Sequence, residues 1–163
     1  MAGPKRPGGV PGPGESMRSL WQETTRQELL GRVSRLKATD TPRWGRMSAP
    51  QMLAHLVDAA RMAVGELPAA PRDLPIRYPP LKQLIVFWMP FPKGAPTSPE
   101  LIARPPGDWD REVVALRALV EQFGRRDPNG RWPDHPAFGR LTGRAWGVLV
   151  YRHSDHHLRQ FGV

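Results

Sequence analysis

The sequence predicts an all-α protein: a four-helix bundle with one long proline-rich crossover between the second and third helices. Three observations predict it. Apolar residues recur at helical spacing in four stretches, and nothing alternates as a convincing strand does. Residues that start and stop helices stand at the ends of those stretches. Residues 66–107 hold 11 of the 20 prolines, so a regular helix cannot run through them. A connection of that length lets the helices on either side of it run parallel.

The first helix is expected from about Leu20 to Leu36, with Leu29, Val33 and Leu36 on one face and Thr39-Asp40-Thr41-Pro42 ending it. The second opens on Ser48 and Gln51, spaced as a capping box in which each side chain bonds the other residue's backbone N–H. Pro50 is tolerated because first-turn N–H groups have no helical partner to lose. Met47 and Met52 occupy the hydrophobic-staple positions; Met52, Leu56, Ala59 and Ala63 follow on one face, and Gly65 is the expected stop. Inside the crossover a short helix is expected around Leu81 to Met89, between Pro79-Pro80 and Pro90. The remainder should be extended and cover the outside of the domain. Asp108 caps the third helix, with Asp110 and Glu112 near its positive end; Val113, Leu116, Val120 and Phe123 form its stripe and Gly124 stops it. After a turn-rich loop the fourth helix starts near Thr142 and runs almost to the last residue, burying Trp146, Leu149, Val150 and His153.

Composition places these elements in one domain, residues 18–163, behind a flexible tail of residues 1–17 in which nine of the first 14 residues are Pro or Gly. The chain has no cysteine, which excludes disulfides, thiolate zinc sites, iron–sulfur clusters and a cysteine nucleophile. A net charge of +9 raises nucleic acid as a partner. The cations are scattered, however, and 20 of the 24 are Arg, which fits a GC-rich coding sequence equally well, so a nucleic-acid role is the weakest reading. The most apolar run, Leu84 to Met89, is far short of the roughly 20 residues a spanning helix needs. No apolar segment follows the N-terminal cations. A cytoplasmic protein with no membrane partner is the expectation.

Chemistry concentrates in the histidines. Of the five, three fall in His153-Ser154-Asp155-His156-His157 near the end of the fourth helix. At roughly 100° per residue they span a sector of about 100° that also carries Trp146, Leu149 and Val150, and so faces the interior. His153 and His157 are one turn apart, a spacing at which two imidazoles bind one metal ion from a single helix. A third ligand must come from another helix, and His55, flanked at helical spacing by Met52, Ala59 and Met62, is the candidate. Three protein nitrogens and one open position make a catalytic zinc site. The competing reading is plain: a His on an apolar face is more often a hydrogen-bonded core residue, and the i, i+4 pair arises by chance. Other chemistries fit worse. Ser154 stands where a zinc protease motif has Glu, and the sequence has no Glu-x-x-His pair, no nucleophile elbow and no phosphate-binding glycine loop. Asp58 and Asp155 map toward solvent. His135, in the 135–139 loop, reads as a turn residue or a catalytic one, and Trp44 as packing.

Three segments carry a resemblance: RWGRMSAPQMLAHLVDAARMAVGE at 43–66, FPKGAPTSPE at 91–100, and HPAFGRLTGRAWGVLVYRHSDHHLRQFG at 135–162. With its W-G-x-M-S…H opening and its HxxHHLRQFG ending, the chain resembles a domain-of-unknown-function branch of the DinB-like superfamily over about residues 20–162. The resemblance implies a four-helix bundle with the crossover after helix two. It also implies a divalent metal held by His55, His153 and His157: zinc first, with Ni2+ or Fe2+ as alternatives. His156 is that branch's extra histidine, and support of a ligand, acid–base chemistry and packing stand as equal readings of it. Gln160 shares the inward sector and is a candidate to bond a ligand, although a polar residue at a helix end is the simpler reading. Relatives in the wider superfamily include metal-dependent thiol transferases and a thiol-dependent isomerase. A small-molecule substrate, a low-molecular-weight thiol co-substrate, and transfer or hydrolysis in detoxification or stress are therefore the implied function. The alternative is a non-catalytic metal- or ligand-binding module with a structural metal, and a homodimer is left open.

Overall fold

A computed structural model describes residues 17–93, 99–102 and 104–163. The expected tail, apart from Met17, lies outside these residues, as do residues 94–98 of the second resembling segment. The described chain is all-helical. Its only β-type pairing among the described residues is an isolated bridge between His135 and Gly139. Four longer helices, α1 (Glu23–Val33), α2 (Ala49–Val64), α4 (Trp109–Gly124) and α5 (Gly143–Gln160), surround one core; the three-residue α3 (Leu81–Gln83) lies in the crossover. No helix among the described residues is long and apolar enough to cross a membrane.

α1 is shorter at both ends than the apolar spacing suggests. Its first expected turn is instead a bend in which the Gln22 N–H bonds the Ser19 carbonyl and the Leu20 N–H bonds the Gly147 carbonyl of α5. Leu20 and Leu36 are buried all the same, 1% and 6% exposed. α2 begins with the complete capping box. Gln51 N–H donates to Ser48 Oγ at 3.3 Å, and Ser48 N–H to Gln51 Oε1 at 2.8 Å. It ends at Gly65, whose φ of 83° is the left-handed geometry a side chain disfavours. Asp108 caps α4 as expected, accepting from Arg111 N–H, and Thr142, the expected start of the fourth helix, caps α5, accepting from Ala145 N–H. α4 ends at Gly124 as expected, but not through a left-handed turn there; Gly124 is the last helical residue, and the guanidinium of Arg26 lies against it.

The main departure is α2, which is buried almost all round rather than along one stripe; only Gln51 is exposed, with Pro50 and Arg61 half-buried. α4, α5 and the returning 3-10 turn Pro99–Leu101 of the crossover all pack on it, with Leu101 buried against the core. Asp58 is therefore 4% exposed, not on the solvent side. Its carboxylate accepts from Arg104 Nε at 2.9 Å, and that guanidinium also pairs with Glu112 of α4. Asp155 is likewise half-buried, held by Arg32 at 2.6 Å and Arg159 at 3.1 Å. The expected helix at 81–89 is present as α3 running into a π-helical turn, Leu84–Trp88. Arg152 of α5 donates to the carbonyls of Ile85, Val86 and Met89 there. Elsewhere in the core, Trp21, Phe123 and Trp132 meet tilted or edge-to-face, with centroids 4.8–5.5 Å apart.

Candidate metal centre

α2 and α5 bring His55, His153 and His157 together. One ligand nitrogen from each lies within 4.8 Å of the others, and the three could hold a metal ion. The Nε2 atoms of His55 and His153 are 2.9 Å apart, and those of His157 and His153 are 3.1 Å apart. Metal–nitrogen bonds of about 2.0–2.1 Å meeting at right angles put nitrogens about 2.9 Å apart, and tetrahedral angles put them about 3.3 Å apart. Two of the three spacings match such an arrangement, and the third pair, His55 and His157, lies within 4.8 Å.

The outer nitrogens decide which atoms point inward. His55 Nδ1 faces the Leu101 carbonyl at 3.1 Å, and since a carbonyl only accepts, Nδ1 carries the proton and Nε2 the lone pair. Gln160 does the same for His157. Its Nε2 donates to the Trp44 carbonyl at 2.6 Å, so its Oε1 accepts from His157 Nδ1 at 2.9 Å. Two lone pairs therefore converge on His153 Nε2, which has at most one proton and can satisfy only one of them. A cation satisfies all three nitrogens at once. Metal-binding histidines characteristically carry such outer hydrogen bonds.

Burial keeps the rings neutral, as metal ligands must be. It is the largest cause at each. His153 is held well below the usual histidine range, with His55 and His157 adding to the effect. His157 is pushed down to about 4. His55 is lowered also, against a partial counter-pull from its bond to Leu101 and from Asp58.

Gln160, the last residue of α5, is 5% exposed and bonds both His157 and Trp44. Gly45 explains the Trp-Gly pair before α2. Its φ is 79°, and a Cβ there would sit 2.6 Å from Gln160 Nε2, so glycine admits the amide to the Trp44 carbonyl. The Trp44 ring packs against His156, and its backbone carbonyl anchors that chain of bonds. Sequence reasoning missed this link and the role of the Leu101 carbonyl, because a backbone oxygen leaves no signature in residue type.

His156 is not part of the group of three. Half-buried, it meets Trp44, Phe91 and His157 with ring centroids 5.9, 6.1 and 5.3 Å away. His135 serves its turn: Nδ1 accepts from the Ala137 and Phe138 N–H groups at 3.1 and 3.2 Å, and burial lowers its pKa to about 4. An open groove of about 1220 Å3, lined among others by Lys82, Arg131, Trp132, Arg140 and Arg144, and a smaller one beside Trp21 and Phe87 include none of the histidines.

A family model described as "Protein of unknown function (DUF1569)" matches residues 15–162. Neither a curated protein nor a solved structure matches the chain.

Proposed function

The chain belongs to the DUF1569 family, and we propose that it binds one divalent metal ion through His55, His153 and His157 and acts with it on a small-molecule substrate. The observation that carries this is the convergence of three Nε2 atoms, two of them fixed as lone pairs by bonds to Leu101 and Gln160. Zinc is the first choice of metal and Ni2+ or Fe2+ the alternatives, since imidazole suits all three. When bound, such an ion supplies a Lewis acid that lowers the pKa of a group brought to it. The chain's own part is to hold three neutral imidazoles around it; His55 is buried, and His153 and His157 are half-buried.

The DinB-like resemblance supports reading α1, α2, α4 and α5 as a four-helix bundle of that kind. It also supports a low-molecular-weight thiol as co-substrate in a transfer or hydrolysis reaction. A chain without cysteine leaves the nucleophile to that co-substrate. A second reading, a structural metal fastening α2 to α5, is favoured by one observation: both grooves described above avoid the histidines.

Metal analysis of protein purified without an affinity tag, then reconstituted with zinc and desalted, tests the proposal. One equivalent is expected in the wild type and in His156→Ala, and almost none in His157→Ala. An empty wild type overturns the metal site. Equal loss from both variants overturns the assignment of ligands and favours a closed, structural site.

A further inference from the structure

We infer that the ligand of this centre is an anion, a carboxylate or similar oxyanion on an apolar body, and that Lys93 receives its charge. The inference rests on the metal reading above and deepens it. Its first ground is the donor set. All three candidate ligands are neutral imidazoles, and their outer partners are a backbone carbonyl and an amide, not carboxylates. A divalent ion held there keeps its full charge. The neighbouring carboxylates are already committed: Asp58 to Arg104 and Arg61, Asp155 to Arg32 and Arg159.

The second ground is the rim. Phe91 stands against His153 and His156, and Trp44 against His156, so aromatic rings border the centre. Lys93 Nζ lies 4.6 Å from the centre of the Trp44 ring, with no carboxylate partner among the described residues. Its side chain is exposed. On the other flank the Arg152 guanidinium lies 5.3 Å from the Phe91 ring centre with only carbonyls as hydrogen-bond partners. Two cations and a divalent ion beside these rings, with no free carboxylate near them among the described residues, repel cationic ligands and favour an anion whose body packs on the rings. Lys93 needs only to exchange its contact with the Trp44 face for a charge-assisted hydrogen bond.

Cobalt(II) in place of the native metal gives the full chain a visible band for the test. Benzoate, its neutral amide benzamide, and imidazole as a neutral metal ligand are titrated in 0.15 M salt. Benzoate is expected to bind about tenfold or more tightly than benzamide. Lys93→Met should weaken benzoate about tenfold and change imidazole by less than about twofold, and Lys93→Arg should restore most of the loss. Benzoate no better than benzamide, or benzoate unaffected by Lys93→Met, overturns the inference while a normal imidazole response leaves the metal reading standing. A chain that takes up no cobalt overturns the metal reading, and this inference with it.

Discussion

Gln160 links two parts of the chain that are far apart in sequence, since one amide bonds both the Trp44 carbonyl and His157 Nδ1. Replacing it should release the His157 ring to the other tautomer without emptying the core. Gln160→Leu is expected to fold normally and to bind zinc about 10–100-fold more weakly, read by competition with a chromophoric chelator. Unchanged affinity would mean the tautomer is fixed by something else. His135 gives the clearest pH effect. It is buried neutral with a pKa near 4, against about 6.5 when unfolded. As pH falls below 6.5 the unfolded chain takes up a proton that the native chain refuses. The stability His135 contributes is therefore complete above pH 6.5 and lost toward pH 4, at about 1.4 kcal/mol per pH unit. Urea unfolding of chelator-treated protein between pH 7 and 4.5 should show a slope shallower by about one proton in His135→Gln. At this scale the sequence was half legible. The i, i+4 spacing of His153 and His157 and the apolar neighbours of His55 identified the cluster. Gln160 was undervalued because position on a helix says nothing of which way an amide turns.

Among the elements, caps were the most legible, since Ser48, Asp108 and Thr142 act through bonds to residues three further on. What spacing could not reveal was the cover over α2. Helical phase places Asp58 away from the main stripe, yet Arg104 of the crossover and Glu112 of α4 close over it. Arg104 is what the crossover brings there, and it joins Asp58 of α2 to Glu112 of α4, two carboxylates 4% and 8% exposed. Arg104→Met should cost about 3 kcal/mol in urea unfolding, because it strands both charges. Adding Asp58→Asn and Glu112→Gln should recover most of it, and a single variant of wild-type stability would show that water already reaches the pair.

For the whole molecule, the candidate centre joins α2 to α5, which are separated by the crossover, α4 and a loop. An ion bound only by the folded chain stabilises it by about 2.7 kcal/mol at a free concentration 100 times Kd. For a domain of this size that raises the melting temperature by roughly 5–10 °C. Calorimetry with zinc and with chelator should show this shift in the wild type and none in His157→Ala. The last turn of α5 carries a further consequence. Helix ends ordinarily fray, opening many times for each global unfolding. Here the Arg43 N–H bonds the Gln160 carbonyl, Arg32 reaches the carbonyl of Val163, and the Gln160 side chain is pinned to Trp44. Amide hydrogen exchange in that turn should be as slow as in mid-helix even without metal. An ion arriving there meets a site already set, so its capture is limited by shedding water rather than by waiting for the helix to form.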